Sequence, residues 1–257
     1  MNSLTISAIV LAVVFGGGAL GLELQHFLPE SYTTGGAKDM TGAVVGLVTL
    51  LLALVLGLLI WTAYGVYSAQ KLSIQTLAVG GLKFDIALKE YGPEAADGRK
   101  MLRASLERTI AQIWQAGYDG DFIVKNYGFA LANMEERENY LSSLQPSTDR
   151  QKVAKAAAEQ ASLAIGQTRM QMALAMVDPI SYPLIGLVVA WAAFLFCGYG
   201  LMSKRHPMSY MAIGFGALAV MSAIAAIDDF SDPYFGIFQV SPAPIVDVLK
   251  AVDATVK

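Results

Sequence analysis

Apolar positions in this chain gather into four long uncharged blocks. Residues 1–22, 40–70, 179–203 and 207–227 contain no Lys, Arg, Asp or Glu, and each block is 21 residues or longer. A helix crossing a bilayer needs about 20 apolar residues at about 1.5 Å each. The pattern therefore predicts spans over about Leu4–Leu22, Thr41–Tyr64, Pro183–Met202 and Met208–Ile227. The second is the strongest. "VVGLVTLLLALVLGLLI" (44–60) holds 13 Leu, Val or Ile residues, worth roughly −4 to −8 kcal/mol of insertion free energy. Its block is long enough to leave the bilayer and continue as helix. The first block reads as a retained span rather than a signal peptide, because it lacks a basic start and "GALGLEL" is a poor cleavage site.

The polar segments sort the spans. "ELQHFLPESYTTGGAKD" is a loop between spans one and two, and "SKRHP" is a tight turn between spans three and four. The long middle reads as helix. In "YGPEAADGRK", Gly92 ends one helix and Pro93 opens the next, with Glu94 at its positive end. Met101, Leu102, Leu106, Ile110, Ile113 and Trp114 follow near helical spacing. "GYDGD" is a break, and a further helix runs to about Leu144. Ser147 or Thr148 caps the last one before span three. The only candidate strand is "GIFQVS", 236–241. After Ile227, Tyr234, Phe235, Ile237, Phe238 and Val240 need burial, and "PIVDVLKAV" forms a short amphipathic helix.

Charge sharpens this division. Of 39 Lys, Arg, Asp and Glu residues, 26 lie between Lys71 and Asp178, although only 15% of the chain is charged. The middle is thus the water-exposed part. Lys38, Lys204 and Arg205 in the short connections outnumber Lys71 and Arg169 at the membrane ends of the middle. By the positive-inside rule, the short connections face the cytoplasm, and the middle and both termini face out. A net charge of −3 gives nucleic acid no partner surface. The single cysteine, Cys197, sits inside span three as a small apolar side chain and supports neither a disulfide nor a metal cluster.

Candidate chemistry is sparse. On span two Gly42, Gly46, Thr49, Ala53 and Gly57 fall on one face, and on span one Ala8, Ala12 and Gly16, with "GGGALG" beyond, add a similar small-residue face. Small residues let helices approach closely in lipid. The two faces are expected to meet each other, or the span-two face serves as a subunit contact or pore wall. Asp228, Asp229 and Asp232 close span four. They stop the helix, or attract ions as a carboxylate ring around a shared axis, or bind a metal. The last is disfavoured, since calcium takes six or more oxygens. Glu23 and His26 have the spacing of half a di-iron site without the other half. Arg99, Lys100, Arg103 and Arg108 read as a solvated helix face. Trp61, Tyr64, Tyr199 and Tyr210 read as interfacial anchors. No nucleophile stands with a base in a recognisable motif, and no ionisable side chain lies mid-span. These observations point away from an enzyme, a cofactor and a proton-coupled pump.

Three stretches resemble the bestrophin-like domain family, a group of largely bacterial membrane proteins: "YGPEAADGRKMLRASLERTIAQIW", "LQPSTDRQKVAKAAAEQASLAIGQTR" and "GLMSKRHPMSYMAIGFGALAVMSAIAAIDDFSDPYFGIFQVSPAPIVDVLKA". The likeness covers roughly 40–252. Two positions depart from it. Gln75-Thr76 replaces an acidic residue and alanine, and Lys204-Arg205-His206-Pro207 replaces a Pro-Arg-Asn turn.

The expected architecture is an all-α integral membrane protein. Four transmembrane helices form two hairpins, 1–65 and 179–227, with a helical extramembrane domain inserted at 66–178. The tail, 228–257, packs on that domain. Kinship with bestrophins, which are pentameric anion channels, implies a homo-oligomeric ion-conducting pore in a bacterial inner membrane. Its partners would be lipid, further copies of itself and inorganic ions. The other reading is a non-conducting scaffold whose helical domain binds a partner.

Overall fold

The computed structural model describes residues 3–27, 35–115, 122–175 and 182–256. The expected break at 117–121, the middle of the expected loop (28–34) and the join before span three lie outside them; the ends of that loop, 23–27 and 36–39, are helical. The described helices are α1 (Ser3–Phe27), α2 (Gly36–Tyr91), α3 (Ala96–Ile110), α4 (Phe122–Ser143), α5 (Asp149–Leu174), α6 (Tyr182–Met202), α7 (Pro207–Ser231) and α8 (Ala243–Val256). A 3₁₀ turn, Pro93–Ala95, precedes α3, and a π-helical turn, Ala111–Gln115, extends it. Contacts divide the chain into two units, Met1–Gly65 with Ile180–Ser231 and Val66–Pro179 with Asp232–Lys257.

The first unit holds the apolar helices. Among the described residues, α1, α2, α6 and α7 are long and apolar enough to cross a membrane. Val10 and Val14 of α1, Val45, Leu52 and Leu59 of α2, Val188 and Ala192 of α6, and Ala217 and Ile224 of α7 form its core. Backbones touch where glycine permits. A Cβ at Gly17 would lie 2.6 Å from the Ala193 carbonyl oxygen, and Cβ atoms at Gly21 and Gly200 would strike the carbonyls of Cys197 and Gly18. The intrachain small-residue contact is therefore Gly17, Gly18 and Gly21 of α1 against α6 and α7. It is not the expected meeting of spans one and two. Ala8 and Ala12 stay exposed, and no atom lies within 4 Å of a Cβ placed at Gly16.

The second unit has its own apolar core. Ile74, Phe84 and Leu88 of α2, Leu102 and Leu106 of α3, Leu141 of α4, Ala158 and Ile165 of α5, and Ile245 and Val252 of α8 are buried together. Helix ends follow the local signals. Gly92 takes φ +122°, a left-handed value that stops α2 and that glycine adopts without strain. Thr148 caps α5 in a reciprocal box with Gln151. The stretch 236–241 is not a strand. The Val240 N–H donates to the Pro233 carbonyl at 2.8 Å, and its own carbonyl accepts from Trp114 Nε1 at 2.8 Å. Val240 thus spends its backbone groups on a turn and a side chain rather than on a strand ladder.

Arg99 also departs from expectation. It is not on a solvated face but pairs inside the core with Asp85, Nε to Oδ1 at 2.7 Å and Nη2 to Oδ2 at 3.3 Å. Lys100, Arg103 and Arg108 remain exposed, paired with Asp97, with Glu107 and Asp253, and with Glu136.

Candidate functional site

The small-residue face of α2 borders the covered side of the helix. A Cβ at Gly42 would meet the Met202 methyl group at 3.1 Å, and the Thr49 hydroxyl shares a 3.0 Å hydrogen bond with Tyr199. Further along, Ala53 is exposed and no atom lies within 4 Å of a Cβ at Gly46 or Gly57. Only the edge of this face is partnered within the chain. Just 17% of the α2 membrane window is buried, the lowest share of the four.

The rest of α2 shows a feature that the sequence reading missed. Val44, Leu51, Leu58, Leu72, Val79 and Ile86 are 45–62% exposed. With Gly65 they recur every seven residues. Leu47, Leu54, Trp61 and Leu82, also exposed, fall on the companion line three positions later. The two lines have the spacing of the a and d positions of a coiled coil, although Ser68, Gln75 and Lys89 interrupt the second. The signal was present in the primary structure, but inside a Leu-rich span most faces are apolar and the seam does not stand out. It is visible only beyond Lys71, where polar residues surround Leu72, Val79, Leu82 and Ile86.

At the other candidate cluster, α7 does not stop at Ile227. It runs to Ser231, so Asp228 and Asp229 occupy its last turn and Asp232 follows it. All three are half-buried. Carboxylates at a helix C-terminus oppose its dipole, so capping does not account for them. Among the described residues, no group of three or more His, Cys, Asp or Glu side chains is placed to hold a metal ion. Glu23 is engaged elsewhere. Its Oε1 accepts from the Tyr210 hydroxyl at 2.7 Å and pairs with Arg205 at 3.3 Å.

A family model for the bestrophin-like domain matches residues 10–245. The chain belongs to the bestrophin-like family. The match begins thirty residues before the stretch in which the sequence resemblance was read. The fold of this bestrophin-like chain is similar to the crystal structure of a mutant bacterial bestrophin homolog from Klebsiella pneumoniae. The TM-score is 0.69 over 97% of this chain and 98% of the other, at 11% identity. Identity that low carries the fold alone. No curated protein matches the chain.

Proposed function

We propose that this bestrophin-like protein is a homo-oligomeric membrane assembly that conducts ions along its axis, with α2 of each copy beside that axis. The observation that carries this reading is the exposed seven-residue repeat on α2. Seven residues at 100° each fall 20° short of two turns, so such a stripe winds slowly around a straight helix. Copies of α2 that follow it cross with a left-handed twist and bury it continuously. Within lipid an exposed leucine is at no disadvantage. Beyond Lys71 it is, because leaving a Leu, Val or Ile in water forfeits about 1.5–3 kcal/mol per side chain. Leu72, Val79, Leu82 and Ile86 therefore favour a second copy there.

Gly46, Ala53 and Gly57 then provide either close subunit contact or a narrow pore wall. Repeated around an axis, Asp228, Asp229 and Asp232 would enrich cations at a pore mouth. No catalytic role is assigned to either cluster.

The test combines association with flux. In a Cys197→Ala background, Leu72→Cys, Val79→Cys and Ile86→Cys should each cross-link copies, whereas Lys83→Cys should not. Purified protein in liposomes should pass ions, and Gly46→Leu should change the rate. Cross-linking without flux in any salt leaves the scaffold reading. A monomer in mild detergent with no cross-link overturns both.

A further inference from the structure

The membrane unit carries a groove at the end where α6 turns into α7. Its volume is about 480 Å³, within the size range of small-molecule sites. Phe196 and Tyr199 of α6 and Ile213 of α7 are among its apolar walls, and Ser203 and Ser209 line it beside the connecting turn. The apolar wall is preformed. A Cβ at Gly216 would lie 2.5 Å from the Phe196 ring, so the glycine admits that ring against α7. Phe196 meets Tyr199 edge-on at 6.5 Å between centroids, and the Tyr199 hydroxyl is held by Thr49 at 3.0 Å.

The other end of the groove is polar and then cationic. The Ser203 and Ser209 hydroxyls lie 3.0 Å apart, and Ser209 Oγ donates to the Lys204 carbonyl at 2.9 Å. The Met208 N–H donates to His206 Nδ1 at 3.2 Å. These bonds close the turn on itself, and Lys204, Arg205 and His206 are all exposed. Among the described residues one carboxylate pairs with this turn, Glu23 with Arg205 at 3.3 Å. Two cations therefore answer to one acid, and the excess is positive.

This order of chemistry selects the occupant. Phe196 and Met202 are six residues apart, so the apolar part runs along about 9 Å of helix before the turn. The α2 face of a second copy, uncharged over 40–70, would fill that part and leave the cations unanswered. A free phosphate would answer the cations and leave the apolar walls bare. A phospholipid with a negative headgroup matches both ends. Basic pockets between membrane helices bind such headgroups, and a guanidinium fork suits phosphate oxygens.

We infer that the groove between α6 and α7 holds one anionic phospholipid of the bilayer, its acyl chain against Phe196, Tyr199 and Ile213 and its phosphate beside Lys204 and Arg205. The site is built from one copy and depends on neither oligomerisation nor conduction. It exists only when α6 and α7 are packed, so the lipid stabilises the folded hairpin.

The test uses the full-length protein, delipidated in a neutral detergent. Dioctanoyl phosphatidylglycerol, dioctanoyl phosphatidylcholine or free glycerol phosphate is added, and unfolding is followed by tryptophan fluorescence. Phosphatidylglycerol should raise the Tm by several degrees and saturate, as ligand linkage requires. Phosphatidylcholine should need a several-fold higher concentration, and glycerol phosphate should have no effect. Lys204→Gln should erase the preference between the two lipids, and Ala212→Phe, which fills the groove, should weaken the response to both. An equal response to both lipids, an undiminished preference in Lys204→Gln, or a full response to glycerol phosphate overturns the inference. If the variants do not fold, a cryo-electron map of the unaltered protein in nanodiscs of the two lipids decides. Lipid density in the groove with its headgroup at Lys204 supports the site, and a second copy's helix or an empty groove overturns it.

Discussion

Asp85 of α2 and Arg99 of α3 face each other through two parallel hydrogen bonds, with 7% and 13% of their side chains exposed. Fourteen residues and a glycine turn separate them in the chain. Breaking such a pair on one side leaves a buried charge alone, at a cost of about 3–5 kcal/mol. Asp85→Ala should therefore lower urea-unfolding stability by that order. Asp85→Leu with Arg99→Met should recover most of it. If Asp85→Ala costs no more than an exposed charge change such as Lys100→Ala, the pair does not hold these helices together.

Glycines in the membrane unit should divide into two sets. Gly17→Val, Gly21→Val and Gly200→Val force side chains onto the backbone of a neighbouring helix. Overpacking of this kind costs about 1–3 kcal/mol. Gly46→Ala and Gly57→Ala meet no described atom within 4 Å, so they should not lower the detergent Tm of a dissociated subunit and should raise it slightly through helix propensity. Equal losses in both sets would show that the α1–α6 approach is not tight.

A buried hydrogen-bond relay helps to anchor the tail. The Tyr234 hydroxyl donates to Gln70 Oε1 at 2.7 Å, and Gln70 Nε2 donates to the Met172 carbonyl at 3.0 Å. Tyr234→Phe leaves the glutamine oxygen unsatisfied and should cost about 1–3 kcal/mol. Limited proteolysis should then cleave first within 232–242. Unaltered protection of that stretch would contradict this.

Two buried arginines, Arg137 of α4 and Arg169 of α5, give a pH signature. Burial pushes both guanidinium pKa values down to about 10, well below the ordinary arginine range, so folding disfavours the charged forms. The full penalty applies below pH 10 and is relieved as pH rises beyond it, because the unfolded chain then binds more protons. Glu136 and Glu138 on the same helix act in the opposite sense on Arg137. Arg137→Met should be more stable than the unaltered protein by a constant margin from pH 6 to 9. The margin should shrink above about pH 10. A margin that widens there would reverse the sign of the effect.

What could be read from the primary structure differs between the two units. Gly92 and Thr148 act through their own backbone and side-chain chemistry, and both do what local rules require. Of the readings open for Asp228 and Asp229, the helix stop after Ile227 does not hold, because α7 runs on to Ser231. The core position of Arg99 could not be read, because Asp85 is the only feature that distinguishes it from exposed Arg103 and Arg108. Arg137 and Arg169 lie thirty-two residues apart and carry no motif. Only the packing of α4 beside α5 brings them to the lining of one small cavity.

The amino-acid sequence alone determined that four segments are long and apolar enough to cross a lipid phase and that a charged helical region separates them. Membrane partition is a sum over contiguous side chains and needs no knowledge of neighbours. Tertiary structure decided which helix faces are covered: Gly17 and Gly21 inside, Gly46 and Gly57 outside, and the seven-residue stripe of α2 left open. In lipid, large and small apolar residues meet the same solvent, so hydrophobicity does not distinguish a contact face from a free one. That choice is made by the shapes of helices far apart in the chain.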